Sequence, residues 1–177
     1  MKTTIAKALK QIAIGGTLAA VASTGFAATQ GSLGFTSTGD LDIDLTVSDE
    51  VRINNLADIT LGPFTGADVS GSSPACVYRN GGPDYQVTAT GDGALNAFTL
   101  SNGTDTVPYS VTFTDTVDAV TLASGTAAVR TGAEGDPLLN CSGGDNASIG
   151  VSVTAADASG LPQDTYIGTL TLMVAPN

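Results

Sequence analysis

Apolar and polar positions alternate with a period of two along much of this 177-residue chain. The strictest run is Leu41-Asp42-Ile43-Asp44-Leu45-Thr46-Val47. As a strand it sends Leu41, Ile43, Leu45 and Val47 to one face and the aspartates to the other. Residues 52–54 and 59–64 are short strand candidates separated by Asn-Asn and Gly-Pro punctuation. Residues 75–79 and 85–90 flank Asn80-Gly81-Gly82, and residues 98–100 and 109–113 flank Asn102-Gly103. Both turns read as hairpins, because these residues accept the positive φ that tight turns need. Pro108 marks an edge position in the second of them. Residues 117–122, 127–130, 149–153 and 165–174 complete the strand candidates. Beyond the first thirty residues, no segment sustains a 3.6-residue period with caps. Short strands every eight to twelve residues, with turns between, predict an all-β chain folded as an antiparallel β-sandwich. No internal repeat and no second domain is visible.

The N-terminus reads differently. Lys2, Lys7 and Lys10 precede an 11-residue apolar run over 12–22, and Ser23-Thr24-Gly25-Phe26-Ala27 ends in small residues. That order predicts a secretory signal peptide over residues 1–27, cleaved before Ala28. The run falls short of the ~20 residues that span a bilayer, and no later stretch is longer, so membrane insertion is not expected.

Cleavage would remove every lysine, leaving Arg52, Arg79 and Arg130 against 17 carboxylates. So acidic a surface repels nucleic acid and anionic membranes. The chain has no histidine, which removes imidazole acid–base chemistry and His-ligated metals. Without lysine there is neither a Schiff base nor a lysine isopeptide cross-link. Cys76 and Cys141 are the only thiols, and export predicts a disulfide between them. Closing a loop of that length contributes ~4 kcal/mol by restricting the unfolded chain. The bridge would pin the polar loop 132–144 to the Cys76 strand.

The remaining candidates for chemistry are weak. Asp40, Asp42, Asp44, Asp49 and Glu50 invite a calcium reading, but aspartates alternating with Leu and Ile do not curl around a cation. Asp115, Asp118, Glu134 and Asp136 invite a glycosidase pair, yet they lie in turn-rich segments without an aromatic platform. Asn102-Gly103-Thr104 and Asn146-Ala147-Ser148 match the glycosylation pattern, a degenerate one. No enzyme, cofactor or metal is expected. The sharpest feature is the tail. A polar lead at 28–32, then Leu33 and Phe35, then four aliphatics at period two, has the form of a strand made for another sheet.

Several segments together resemble one family. Thr38-Gly39-Asp40-Leu41-Asp42-Ile43-Asp44-Leu45-Thr46-Val47 resembles the amphipathic N-terminal extension of archaic chaperone–usher pilins and the spore coat U domain. Ile59-Thr60-Leu61-Gly62 is similar to that family's short apolar strand ending in Gly. Cys76-Val77-Tyr78, followed by Tyr85-Gln86-Val87-Thr88-Ala89-Thr90-Gly91, resembles its Cys-bearing strand and the arm after it. Val107-Pro108-Tyr109-Ser110-Val111 resembles its central segment. Asp164-Thr165-Tyr166-Ile167-Gly168-Thr169-Leu170-Thr171-Leu172-Met173-Val174 resembles its last strand. One departure stands out: the family's early Cys is missing, since residues 51–53 read Val-Arg-Ile.

The resemblance implies an Ig-like sandwich lacking one strand, held by a periplasmic chaperone and passed through an outer-membrane usher. The next subunit's tail would then complete it, giving a homopolymer that serves adhesion or biofilm formation as an extracellular fimbria. Residues 28–48 would be the donor extension and 49–177 the pilin domain. Leu41, Ile43, Leu45 and Val47 would be the donor side chains, extended by Leu33 and Phe35. Leu170, Leu172 and Val174 would line the acceptor groove. The rivals are a monomeric secreted coat or matrix sandwich, and a tip adhesin with a binding module.

Overall fold

A computed structural model describes residues 28–133, 135–136, 138–139 and 141–177. The expected signal peptide and Glu134 lie outside the described residues. The chain divides between Thr46 and Val47 into two compact units. In the first unit the regular feature among described residues is one antiparallel bridge between Thr29 and Asp40, with N–H···O distances of 2.9 and 3.0 Å.

The second unit is a β-sandwich. Its strands are β1 (Val51–Asn54), β2 (Val69–Arg79), β3 (Tyr85–Gly91), β4 (Thr99–Ser101), β5 (Thr106–Pro108), β6 (Ser110–Thr114), β7 (Ala119–Leu122), β8 (Ala127–Arg130), β9 (Ala147–Val153) and β10 (Leu170–Pro176). A four-residue helix α1 (Ala155–Ala158) starts at Thr154, whose side chain accepts the Asp157 N–H. One sheet has the order β1-β2-β9-β6-β7 and the other β10-β3-β8, with β4 and β5 forming a separate two-stranded ribbon. Every ladder is antiparallel.

The core follows from the alternation. Ala147, Ile149, Val151 and Val153 of β9 are buried, with half-buried residues between them. Val87 and Ala89 of β3 face them across the interior, and Tyr85 meets Phe113 edge-to-face with centroids 6.4 Å apart. Pro74 sits inside β2 where β9 pairs with it but β1, which pairs only with residues 76–79, does not. Its missing N–H therefore costs no ladder bond on the β1 side.

Two local expectations turn out otherwise. Asn80-Gly81-Gly82 does not close a hairpin: β2 and β3 lie in different sheets, and β2 already has β1 and β9 as neighbours. The turn residues encode a reversal, not the strand that follows it. Residues 59–64 form no strand, because Gly62 takes φ +75° and Pro63 lacks a donor, although Ile59 and Leu61 still pack on the core. Residues 41–47, expected as a strand made for another sheet, carry no ladder within their own chain among the described residues. By contrast, Asn102-Gly103 does turn a hairpin, with Gly103 at φ +94°, but its second arm is β5, which ends at Pro108, while the expected arm over 109–113 falls largely in β6 of the five-stranded sheet.

Candidate functional site

The two long seams between the sheets are built differently. On one seam the chain crosses from β7 in the first sheet to β8 in the second, and Arg130 of β8 reaches back to the β6–β7 turn. Its Nε donates to Asp115 Oδ2 and its Nη2 to Asp115 Oδ1, both at 2.8 Å. Nη2 also donates to the Asp118 carbonyl and carboxylate. The Tyr85 hydroxyl donates to Asp115 Oδ2 at 3.0 Å. The Asp115 side chain is only 1% exposed. Burial pushes its pKa up, but hydrogen bonds from Arg130, the Val117 N–H and Tyr85 outweigh burial and hold it at about 2. Burial and the Asp115 charge push the Tyr85 hydroxyl well above its ordinary value. This seam is sealed by charge-assisted bonds.

At the other seam, β10 pairs with β3 along all seven of its residues, and its other edge has no ladder. Leu170, Leu172 and Val174 face inward and pack on the core, yet each remains half-buried. Beside them, across the sandwich, runs β1, the edge strand of the other sheet, also without a ladder to β10. Its Val51 and Ile53 are half-buried on the same core. The seam is thus a strip of incompletely covered aliphatic side chains between two free backbone edges. Such an edge offers unpaired N–H and C=O groups to any extended chain that arrives.

Arg79, the last residue of β2, closes one end of this seam. It pairs in register with Val51 of β1, and its Nη2 donates to the Asn177 carbonyl beyond β10 at 3.2 Å. Its Nε and Nη2 also donate to the Asp49 carboxylate, at 3.2 and 2.7 Å. That contact lowers the Asp49 pKa and raises that of Arg79. Asn80 adds a second hold on the same stretch. Its Nδ2 donates to the Ser48 carbonyl at 2.8 Å, and its Oδ1 accepts the Glu50 N–H at 2.7 Å. The root of the tail is therefore fastened at 48–50.

The tail residues ahead of that root are open. Leu41, Ile43, Leu45 and Val47 are 70%, 87%, 86% and 72% exposed, and Leu33 and Phe35 are fully exposed. Asp40, Asp42 and Asp44 are exposed too. Large aliphatics exposed at every second position over seven residues form an apolar stripe of the kind found at interaction surfaces.

The other candidates are committed elsewhere. Asp115 and Asp118 are spent on Arg130. Asn102 Oδ1 accepts the Thr104 and Asp105 N–H groups, and Asn146 Oδ1 accepts the Val77 N–H, so both sequons carry structural asparagines. Cys76 and Cys141 form a disulfide with Cα atoms 6.2 Å apart, and Asp136 donates its N–H to the Val77 carbonyl beside it. Asp136 and the two sulfurs lie together, but sulfurs bonded to each other offer a cation no thiolate. The roles of Arg79, Asn80 and Arg130 were not foreseen from the sequence. The available signal was that the chain has only three arginines, and that Arg79 shares the inward parity of Ala75 and Val77.

No family model matches this chain, and no curated protein matches it either. Solved structures do share its fold. A chain of the chaperone–tip adhesin complex of CFA/I fimbriae biogenesis aligns with a TM-score of 0.54 at 15% identity, covering 72% of this chain and 41% of that one. The CFA/I adhesin CfaE of enterotoxigenic E. coli aligns at 0.53 and 14%, covering 72% and 43%. This chain therefore spans well under half the length of those proteins. It is an Ig-like antiparallel β-sandwich of the architecture found in fimbrial adhesins.

Proposed function

We propose that this protein is a structural subunit of an extracellular fimbria, polymerised by donor-strand exchange and without enzymatic activity. The observation that carries the reading is a pairing of opposites: a seam of half-buried Leu170, Leu172 and Val174 beside a free edge, and a tail of exposed Leu41, Ile43, Leu45 and Val47. The tail of one copy covers the seam of the next, adding a strand to β10. Fully burying four aliphatics contributes about 6–12 kcal/mol before ordering costs. The backbone edge adds its hydrogen bonds and opposes slippage. Before assembly the same seam is what a periplasmic chaperone covers, and an usher exports the growing fibre. The fold shared with CFA/I adhesin chains supports a fimbrial role of this kind. It also keeps a tip adhesin in view; the tail favours a polymerising subunit, since a terminal subunit has no further seam to fill.

The test is Ile43→Asp beside Asp42→Ser in the full chain, read by size exclusion, electron microscopy and circular dichroism. A carboxylate forced into an apolar seam loses hydration without a partner, at a cost of several kcal/mol per interface. The expected result is a folded Ile43→Asp subunit that forms no fibres, with normal fibres from Asp42→Ser. An Ile43→Asp chain that cannot fold would support the monomeric sandwich. Normal fibres from it would move the donor to Leu33 and Phe35.

A further inference from the structure

The Asn80-Gly81-Gly82 reversal closes no hairpin, yet it and Arg79 converge on residues 48–50. Besides its two side-chain bonds to Ser48 and Glu50, Asn80 donates its backbone N–H to the Glu50 carbonyl at 3.3 Å. Arg79 grips the Asp49 carboxylate between them. Gly81 lies so close to that carboxylate that a Cβ there would overlap it. The bonded groups of Ser48 and Glu50 thus point to the β2 side, one step beyond the Val51–Arg79 pair. That is the i, i+2 repeat of an extended chain. Residues 48–50 therefore run in line with β1 instead of turning over its free edge.

The turned alternative is well encoded locally. A reversal over 48–50, where Ser and Asp favour turns, sets Val47 opposite Val51 and Leu45 opposite Ile53. Directly opposed residues share a face, so the tail's aliphatics would cover the half-buried ones of its own β1. A tethered strand also acts at an effective concentration on the order of millimolar, above that of another copy in dilute solution. Left free, the tail would cap its own seam first. We propose that Arg79, Asn80 and Gly81 hold residues 48–50 extended and so keep the tail out of its own seam, leaving it for a second copy. This rests on the strand-exchange reading above and adds what directs the strand outward. A bend at 48–50 would give up the Asn80 bonds and part Asp49 from Arg79. The device also gives a use to an Asn-Gly-Gly turn that closes no ladder: its Asn supplies the bonds, and its first Gly supplies the room for Asp49.

The experiment compares the full chain as wild type, as the double variant Asp49→Ala with Asn80→Ala, and as Gly81→Ala, each as a dilute, unassembled subunit. Hydrogen exchange reads the amides of residues 41–47. Anisotropy reads binding of a fluorescent peptide of residues 34–48 at the seam. In wild type, tail exchange is expected to be fast and the peptide to bind. In both released chains, exchange at 41–47 should slow about tenfold and peptide affinity should fall about tenfold, as the seam fills from within. Adding Ile43→Asp to either released chain should restore fast exchange and binding, because a carboxylate does not fit the apolar seam. Released chains that keep wild-type exchange and peptide affinity overturn the proposal and leave strand exchange standing. Slow exchange already in wild type overturns it too, since the tail then caps its own seam despite the hold on 48–50. Fast exchange with no peptide binding to wild type overturns the strand-exchange reading itself, and the proposal with it. Circular dichroism checks the fold, and should one released chain fail to fold, the other decides.

Discussion

Arg130 and Asp115 show what a single charged pair does at the edge of a sandwich. The pair is almost fully enclosed, and Tyr85 satisfies a further lone pair of the carboxylate. Breaking such a pair leaves an uncompensated buried charge, so Asp115→Asn or Arg130→Ala should cost about 3–5 kcal/mol in urea unfolding. The pH dependence has a definite sign. Asp115 is held at about 2, below its ordinary value of 3.8. Its contribution is therefore complete above that ordinary value and is lost as pH falls toward about 2. Thermal unfolding of wild type and Asp115→Asn across that window should converge at the acid end; parallel curves would count against the role. Neither this pair nor the Arg79–Asp49 pair could be read from the sequence. Whether an arginine is solvated or buried depends on which loop lies over it, and that is a long-range fact.

At the scale of elements, alternation and turns were legible, while partners were not. The inward residues of β3, β6 and β9 follow the period-two pattern. The Asn80-Gly81-Gly82 reversal, however, leads across the sandwich rather than back along the same sheet. The loop carrying Cys141 docks on β2 by the disulfide and by the Asp136–Val77 backbone bond. Reduction of that bridge should lower stability by ~4 kcal/mol, read as a shift in guanidinium midpoint with and without reductant. Mass spectrometry after alkylation should find neither Cys labelled before reduction. Labelling of either in native protein would show the bridge to be incomplete.

At the scale of the whole molecule, the proposed strand exchange would place a kinetic barrier between subunits. A shared strand must be withdrawn against its whole register, so dissociation should be slow as well as unfavourable. Filaments should therefore survive guanidinium concentrations that unfold an unassembled, Ile43→Asp subunit within hours. Equal lability of the two would sink the exchange mechanism.

The sequence by itself determined the all-β class, the positions of most strands, the lack of histidine and the confinement of lysine to the first ten residues. It also displayed the tail, because an amphipathic period is a local property of the pleat and needs no partner to be seen. Only the tertiary structure decided which edges stay unpaired, that β1 and β10 flank the thinly covered seam, and that Arg79 sits buried at its end with a donor to spare. The physical reason is range. Side-chain alternation is set by neighbours two residues apart, whereas pairing, burial and charge compensation are settled between segments a hundred residues apart, as Arg79 and Asn177 are.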